Sequence, residues 1–348
     1  MSRVKMAVVG VGSLGQHHAG KLAGFDNVDL IGVVDPGESA GRTVAERLDT
    51  RWFPTTSELP SELDGVVIAT PTCYHLRSAS RFLAAGIPTF VEKPLASNVA
   101  DATTLKKMAE LNSTTLQIGH IERFDPAFEV AAERCGTPLY IRAQRVSPYS
   151  FRSTDIGVVH DLMIHDIDLV LSMTGGMPDS VEAFGAVGIG PHEDMAVARL
   201  RMAGGTIVDL TASRMCPAAE RTLQIWGTNG CVMADLHGRT VQHWQPQGKF
   251  ADNPQLVHAI AASTPDPRTL KDTVFGEWIQ AETIQAADGD AMEMELRDFI
   301  SAIQTGSTPK VTAADAVNAM QVAEQVIDSL NLWSYQTNSA AINQSRAA

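Results

Sequence analysis

The sequence predicts an α/β fold in two parts. A doubly wound parallel sheet occupies the first third, and an α+β domain on a mainly antiparallel sheet follows. Three observations carry that prediction. Near the start, an apolar strand runs into a glycine-rich turn, Val8-Val9-Gly10-Val11-Gly12-Ser13-Leu14-Gly15. Short apolar runs then alternate with helical patterns to about residue 120. After about residue 123 strand-like runs follow one another across glycine-rich turns.

The glycine turn is a complete G-x-G-x-x-G between a strand and a helix, as a dinucleotide site requires. Gly10 permits the tight turn, Gly12 admits the pyrophosphate, and Gly15 lets the helix lie close to the strand. Ser13 and Leu14 lie within the turn, and the N–H groups at the helix start face the phosphate charge. A second apolar run, Leu30-Ile31-Gly32-Val33-Val34, ends in Asp35, about 20 residues past the last glycine, where a ribose-binding carboxylate belongs.

Strands are predicted at 5–10, 29–35, 65–70, 89–92 and 115–119, with helices at 14–23, 38–48, 73–85 and 99–111 between them. Alternating units of this length give a parallel sheet with right-handed crossovers and helices on both faces. Ligands then bind at the carboxyl ends of the strands. The glycines, Asp35, Thr70-Pro71 and Glu92-Lys93-Pro94 all fall there.

In the second part, helices are predicted at 125–134 and 158–173, and strands at 139–146, 180–188, 195–202, 206–213, 221–226, 231–234 and 240–244. Asn229-Gly230 reads as a hairpin turn. Residues 246–267 form a long proline-bearing loop: a lid, a partner-binding arm or irregular surface. Helices at 290–305 and 313–330 precede a small, polar tail.

Length and composition bound the function. At 348 residues two domains are expected, and 44% hydrophobic with 19% charged residues is ordinary globular composition. A net charge of −13 disfavours a nucleic-acid partner, which would call for a basic face. No apolar run approaches the roughly 18 residues that span a bilayer, so no membrane partner is expected. Four cysteines, none in a C-x-x-C pair, fit reduced thiols and a cytoplasmic location.

Two further groups of residues carry chemistry. Lys93 follows an apolar strand and precedes Pro94, which biases its backbone to extended conformations. It is either placed to meet a substrate hydroxyl or is an ordinary surface lysine. On the predicted helix 158–173, Asp161 and His165 stand at i and i+4, and Asp168 lies a turn further on. A carboxylate beside an imidazole orients it and suits a general base. The alternative is a helix-surface ion pair. His160 and Asp166 add ligand types, but there is no H-E-x-x-H spacing and no metal is expected.

In this order, the G-x-G-x-x-G turn, Ala69-Thr70-Pro71 with His75, Glu92-Lys93-Pro94, and Asp161-x-x-x-His165-Asp166-x-Asp168 resemble the glucose–fructose oxidoreductase / inositol dehydrogenase / rhizopine catabolism (Gfo/Idh/MocA) family. Thr308-Pro309-Lys310-Val311-Thr312 resembles its C-terminal region. The resemblance implies a Rossmann domain followed by a domain with a large open-faced, mainly antiparallel sheet. It implies that Lys93, Asp161 and His165 are catalytic, in NAD(P)-dependent oxidation of a CH–OH group. Thr70, Pro71, His75, Glu92 and Lys93 join Gly10, Gly12, Ser13, Leu14, Gly15 and Asp35 around the cofactor. A carboxylate at Asp35 favours NAD over NADP, with Arg42 as a nearby complication. Whether Lys93 or His165 takes the proton stays open.

A narrower similarity, to the nucleotide-sugar branch that oxidises the 3-hydroxyl of UDP-N-acetylglucosamine, lies in three stretches. They are Gly119-His120-Ile121-Glu122-Arg123-Phe124-Asp125-Pro126, Arg145-Val146-Ser147-Pro148-Tyr149-Ser150-Phe151-Arg152 and Asp155-Ile156-Gly157-Val158. It implies substrate contacts from His120, Arg123, Arg145, Tyr149 and Arg152, besides Lys93 and His165. Arg145 and Arg152 suit a diphosphate, and Tyr149 a uracil or sugar face. Domain salt bridges and a packed aromatic are the alternative. Inositol or free-sugar dehydrogenases, a glycosidase using NAD transiently, and a non-catalytic nucleotide-binding protein are the competing functions. The expected domains are 1–122 and 123–335, with the helix at about 313–330 a candidate to return to the first, and 336–348 a disordered tail. An uncovered apolar sheet face implies a homo-oligomer, dimer or tetramer.

Overall fold

The structure, a computed structural model, describes residues 3–151, 156–189, 191–253, 255–263 and 266–345. The chain divides into two compact units, Met1–Phe124 with Gly289–Glu324, and Asp125–Asp288 with Gln325–Ala348.

In the first unit β1 (Val4–Val9), α1 (Gly15–Ala23), β2 (Val28–Val34), α2 (Glu38–Arg47) and β3 (Arg51–Phe53) are followed by β4 (Gly65–Ile68), α3 (His75–Ala84), β5 (Thr89–Glu92), α4 (Val99–Leu111) and β6 (Leu116–Gly119). The strands pair in the order β3-β2-β1-β4-β5-β6, all parallel. The order reverses between β1 and β4, and this reversal is what opens a crevice at their carboxyl ends. β4 and β5 are buried along their whole length, because helices cover both faces of such a sheet. Asn98 caps α4 by accepting from the Asp101 N–H at 2.8 Å. The sequence reading missed β3, which is too short to show a periodic pattern.

The second unit contains α5 (Pro126–Arg134), β7 (Pro138–Val146), a π-helical turn Val159–Met163, α6 (Ile164–Thr174), β8 (Pro178–Ala186), β9 (Met195–Met202) and β10 (Ile207–Ser213). β11 (Glu220–Gly227), β12 (Gly230–Asp235), β13 (Thr240–Pro246), α7 (Gly248–Asp252), α8 (Leu256–Ala261), α9 (Pro267–Thr273) and β14 (Ile279–Gln285) complete it. Eight strands pair in the order β14-β13-β12-β11-β7-β10-β9-β8, and only β7 with β10 is parallel. α5 lies on β12 and β13, and α6 on β7 and β10. Strand alternation turns Ala196, Ala198 and Leu200 into the core. The other parity carries Arg199 and Tyr140, both bonded to Asp209, and leaves Phe184, Trp226 and Met233 exposed.

Several expectations change. The predicted helix 158–173 begins as a π-turn and becomes α-helical only at Ile164. The β11–β12 hairpin turns at Thr228-Asn229, since Gly230 already pairs with Gly227 at φ +112. The 246–267 loop holds α7 and α8 and leads on to α9 and the edge strand β14, elements too short or too polar to announce themselves.

The chain then returns to the first unit through α10 (Ala291–Thr305) and the start of α11 (Ala313–Ser345). Leu296, Phe299 and Ile300 of α10 join Met6, Val8, Leu22 and Phe90 in one core. The apolar stripe of α10 therefore belongs to the parallel-sheet unit, although the sequence assigned 289–312 to the second domain. α11 continues to Ser345, through most of the expected disordered tail; no glycine or proline interrupts it. Among the described residues no helix is long and apolar enough to cross a membrane.

Candidate active site

At the end of β1 the backbone turns at Gly10, which has φ +87; a Cβ there would lie 2.8 Å from the Ala69 carbonyl oxygen. A Cβ on Gly15 would collide with the Gly10 carbonyl, so α1 begins close to the strand only because Gly15 has none. A Cβ on Gly12 would meet nothing within 4 Å. That open space adjoins a cavity of about 850 Å³ whose lining includes Gly10, Gly12, Ser13, Leu14, Asp35, Thr70 and Pro71. Ser13 has neighbours of its own in the turn, and Leu14 is exposed beside it.

Asp35 follows β2, at the rim of this cavity. One carboxylate oxygen accepts the Val11 N–H at 3.0 Å and the other the Gly37 N–H at 2.8 Å. A carboxylate has about four acceptor sites, so two remain for hydroxyls of a ribose. On the opposite wall, Thr70 Oγ1 is buried without a hydrogen-bond partner. An open glycine, a fixed carboxylate and an orphaned hydroxyl around one cavity fit a dinucleotide. Tyr74 just before α3, Arg77 within α3 and Thr55 after β3 also line it. The sequence reading missed them because none belongs to a motif that marks it as lining a cavity.

Glu92, Lys93 and Pro94 follow β5 at the next strand end. Glu92 is buried and accepts from His18 Nε2–H at 2.6 Å and from the Lys93 N–H at 3.2 Å. Burial works against ionising Glu92. Its hydrogen bond and attraction to His18, with the charge and N–H of Lys93, outweigh burial and hold the carboxyl below its ordinary value. Lys93 itself is half-buried. His75 sits between two backbone carbonyls, Nδ1 facing Pro94 O at 3.0 Å and Nε2 facing Thr70 O at 2.8 Å. Burial pushes its ring below the ordinary 6.5, against the pull of those carbonyls. His75 thus ties the Thr70 turn to the Pro94 turn and is buried away from the cavity lining.

His120 and Arg123 lie at and just after the end of β6, both buried; Arg123 has Asp315 of α11 at 3.8 Å.

The second unit carries the remaining candidates. Asp161 lies in the π-turn and His165 in the first turn of α6, both half-buried. π-turns are rare and concentrate at functional sites. Glu193 anchors this one: its carbonyl accepts the Val158 N–H at 2.9 Å and its carboxylate the Val159 N–H at 3.2 Å. A Cβ on Gly157 would occupy the place of that carboxylate.

Arg145, expected either to hold a diphosphate or to form a salt bridge, is paired with Asp166. The residue is 3% exposed, and its guanidinium bonds both oxygens of Asp166, at 2.8 to 3.2 Å. Tyr149 is half-buried, with Phe151 at 4.8 Å between ring centroids and the Arg214 guanidinium 4.7 Å over its ring. Arg214 also bonds Asp194 at 2.7 Å and the Ile156 carbonyl at 2.9 Å. Arg152 and Asp155 lie outside the described residues.

Comparison with known proteins gives the family. Residues 4–120 match the GFO_IDH_MocA model, described as an oxidoreductase family with an NAD-binding Rossmann fold, and 129–233 match the GFO/IDH/MocA C-terminal domain. UDP-N-acetylglucosamine 3-dehydrogenase of Acidithiobacillus ferrooxidans is 33% identical over 304 residues, 87% of this chain and 90% of its own length. Its solved structure covers 95% of this chain and 98% of its own at 30% identity, with a TM-score of 0.83. The NAD(+)-dependent scyllo-inositol 2-dehydrogenase of Bacillus subtilis is 26% identical over 340 residues, 92% of each chain. GenD2 from gentamicin A biosynthesis, solved in complex with NAD, gives a TM-score of 0.74 at 26% identity, with 94% of each chain covered. This chain belongs to the Gfo/Idh/MocA family of oxidoreductases, and its first unit is the family's NAD-binding Rossmann fold.

Proposed function

We propose that this sugar dehydrogenase of the Gfo/Idh/MocA family oxidises the 3-hydroxyl of a UDP-linked N-acetylhexosamine. The observation that carries the reading is the 33% identity to a UDP-N-acetylglucosamine 3-dehydrogenase across nearly the full length of both chains. Fold alone would not support it, because one fold hosts many substrates.

In this reading Gly10, Gly12, Ser13 and Asp35 hold NAD, which when bound supplies the hydride acceptor. His165 removes the proton of the sugar hydroxyl, and Asp161 orients the imidazole and stabilises its protonated form. Lys93 donates a hydrogen bond to the same oxygen and stabilises the negative charge that develops there. Tyr149 offers its ring face to the uracil or the sugar. Arg145 has no part, being held by Asp166. The exposed Phe184, Trp226 and Met233 support a homo-oligomer built on the outer sheet face, which light scattering would size.

The test is net NADH formation across UDP-N-acetylglucosamine, UDP-glucose, free N-acetylglucosamine and scyllo- and myo-inositol. The expected order places UDP-N-acetylglucosamine first. An inositol reduced to second place supports the reading, whereas an inositol in first place replaces it. Turnover without net NADH would make the protein a glycosidase. Lys93→Ala and His165→Ala are each expected to lower kcat by ~10²- to 10⁴-fold with NAD affinity retained. Unchanged kcat in either removes that residue from the mechanism.

A further inference from the structure

His18 is fully buried in α1, three residues after Gly15. Its ring stands 5.4 Å from Phe90, and Nδ1 has no hydrogen-bond partner. Its Nε2 meets the Glu92 carboxylate at 2.6 Å. A buried imidazole with one edge unsatisfied is costly to keep, so a packing role alone would favour an apolar residue there. Glu92 in turn accepts the N–H of the residue beside it, Lys93. The opposite side of this turn is closed by His75 on the Pro94 carbonyl.

We propose that His18 is a positioning residue that acts through Glu92 on Lys93, linking the glycine-turn helix to the lysine of the reaction proposed above. The physical basis is a chain of three groups. His18 fixes the Glu92 carboxylate from one side. Glu92 fixes the Lys93 backbone from within the same turn, and its negative charge favours the Lys93 ammonium. A Cβ at Gly119 would come within 3.0 Å of Glu92 Oε2, so the β6 side of the carboxylate is closed too. The titratable groups around Glu92 are His18 from α1, Lys93 beside it, His75 from α3, and His120 one residue beyond its pairing partner Gly119 on β6. With α1 starting at the glycine turn, the element that receives the dinucleotide and the lysine are held by one buried contact.

The test uses the full-length protein with Glu92→Gln and His18→Gln. The Lys93 amine is titrated without cofactor or sugar by competitive acetylation read by mass spectrometry. Glu92→Gln is expected to move the Lys93 labelling midpoint down by about one pH unit or more, because the anion that favours the ammonium is gone, whereas His18→Gln, which leaves Glu92 ionised where the amine titrates, is expected to leave the midpoint in place. With the sugar that reduces NAD fastest, kcat is expected to fall at least ~10-fold in both variants, and in His18→Gln the Kd for NAD and the sugar KM are expected to stay within ~3-fold. In a Lys93→Ala background, neither change is expected to lower the residual kcat further. Should His18→Gln not fold, Glu92→Gln, which keeps size and hydrogen-bonding edges, carries the test. A Lys93 midpoint unmoved in folded Glu92→Gln overturns the proposal, as does a His18→Gln protein with unchanged kcat or an equal loss of kcat with Lys93 absent. The labelling arm needs no substrate, so an error in the assigned sugar leaves it standing.

Discussion

The guanidinium of Arg42 lies 4.7 Å over the ring of Trp52, and its Nε–H donates to Glu38 at 2.8 Å. Trp52 in turn donates its indole N–H to the backbone carbonyl of Asp35 at 2.9 Å. Arg42 is thus stacked and ion-paired, which leaves the Asp35 carboxylate as the group proposed to meet the ribose.

NAD is therefore the expected cofactor in solution, with kcat/KM for NAD exceeding that for NADP at least ~30-fold, the worth of one lost charge-assisted hydrogen bond plus repulsion. Arg42→Ala is expected to change that ratio less than ~3-fold, because an exposed pair contributes little. Steady-state kinetics with both cofactors checks it, and a preference for NADP would defeat the assignment. Asp35→Ala is expected to weaken NAD binding by ~10- to 100-fold and to loosen the Val11 and Gly37 turns it holds.

Gly12 and Gly15 are expected to fail in different ways. Gly12→Val places its side chain in open space, so the thermal midpoint stays within a few degrees while NAD affinity drops by ~100-fold or more. Gly15→Ala drives a methyl into the Gly10 carbonyl and is expected to cost ~1–3 kcal/mol of stability. Thermal melts beside NAD titrations separate the two; a Gly12→Val protein that binds NAD normally would remove the pyrophosphate from this turn.

Removing one member of the Arg145–Asp166 pair leaves the other as an uncompensated buried charge. Arg145→Leu is accordingly expected to destabilise the second unit by ~3–5 kcal/mol in denaturant unfolding. Arg145→Leu combined with Asp166→Leu is expected to recover most of that loss. If Arg145→Leu instead left stability intact and raised only the KM for the sugar, the arginine would regain its role as a phosphate holder.

Acid is expected to destabilise the chain in two stages. The folded pKa of His75 is lowered from 6.5, so below that pH the unfolded chain binds a proton that the folded chain refuses, and stability falls. Glu92 has a folded pKa below its ordinary 4.5. Its contribution is present above 4.5 and is lost as the pH falls through the folded value. Denaturant midpoints between about pH 8 and about pH 2 report both stages, and His75→Asn is expected to flatten the first. Stability rising on acidification from neutral pH would contradict the burial of His75 as a neutral ring.

The glycine and lysine turns and the class of each sheet were legible in the residues alone. Gly10, Gly12, Gly15, Asp35 and Glu92-Lys93-Pro94 stood out because a strand end followed by a helix leaves a local signature. The same holds for the parallel and antiparallel halves, whose apolar periodicities differ. Tertiary structure alone decided which partner each polar side chain meets. Two adjacent histidines, His17 and His18, look alike in sequence, and only the docking of α1 on the sheet turns His18 toward Glu92. Arg145 read as a phosphate ligand until the neighbouring helix brought Asp166 to it, and α10 joined the first unit because its apolar stripe completes that core. Local conformation follows from short-range sterics and hydrogen bonding; pairing between residues far apart in the chain follows from which surfaces exclude water together.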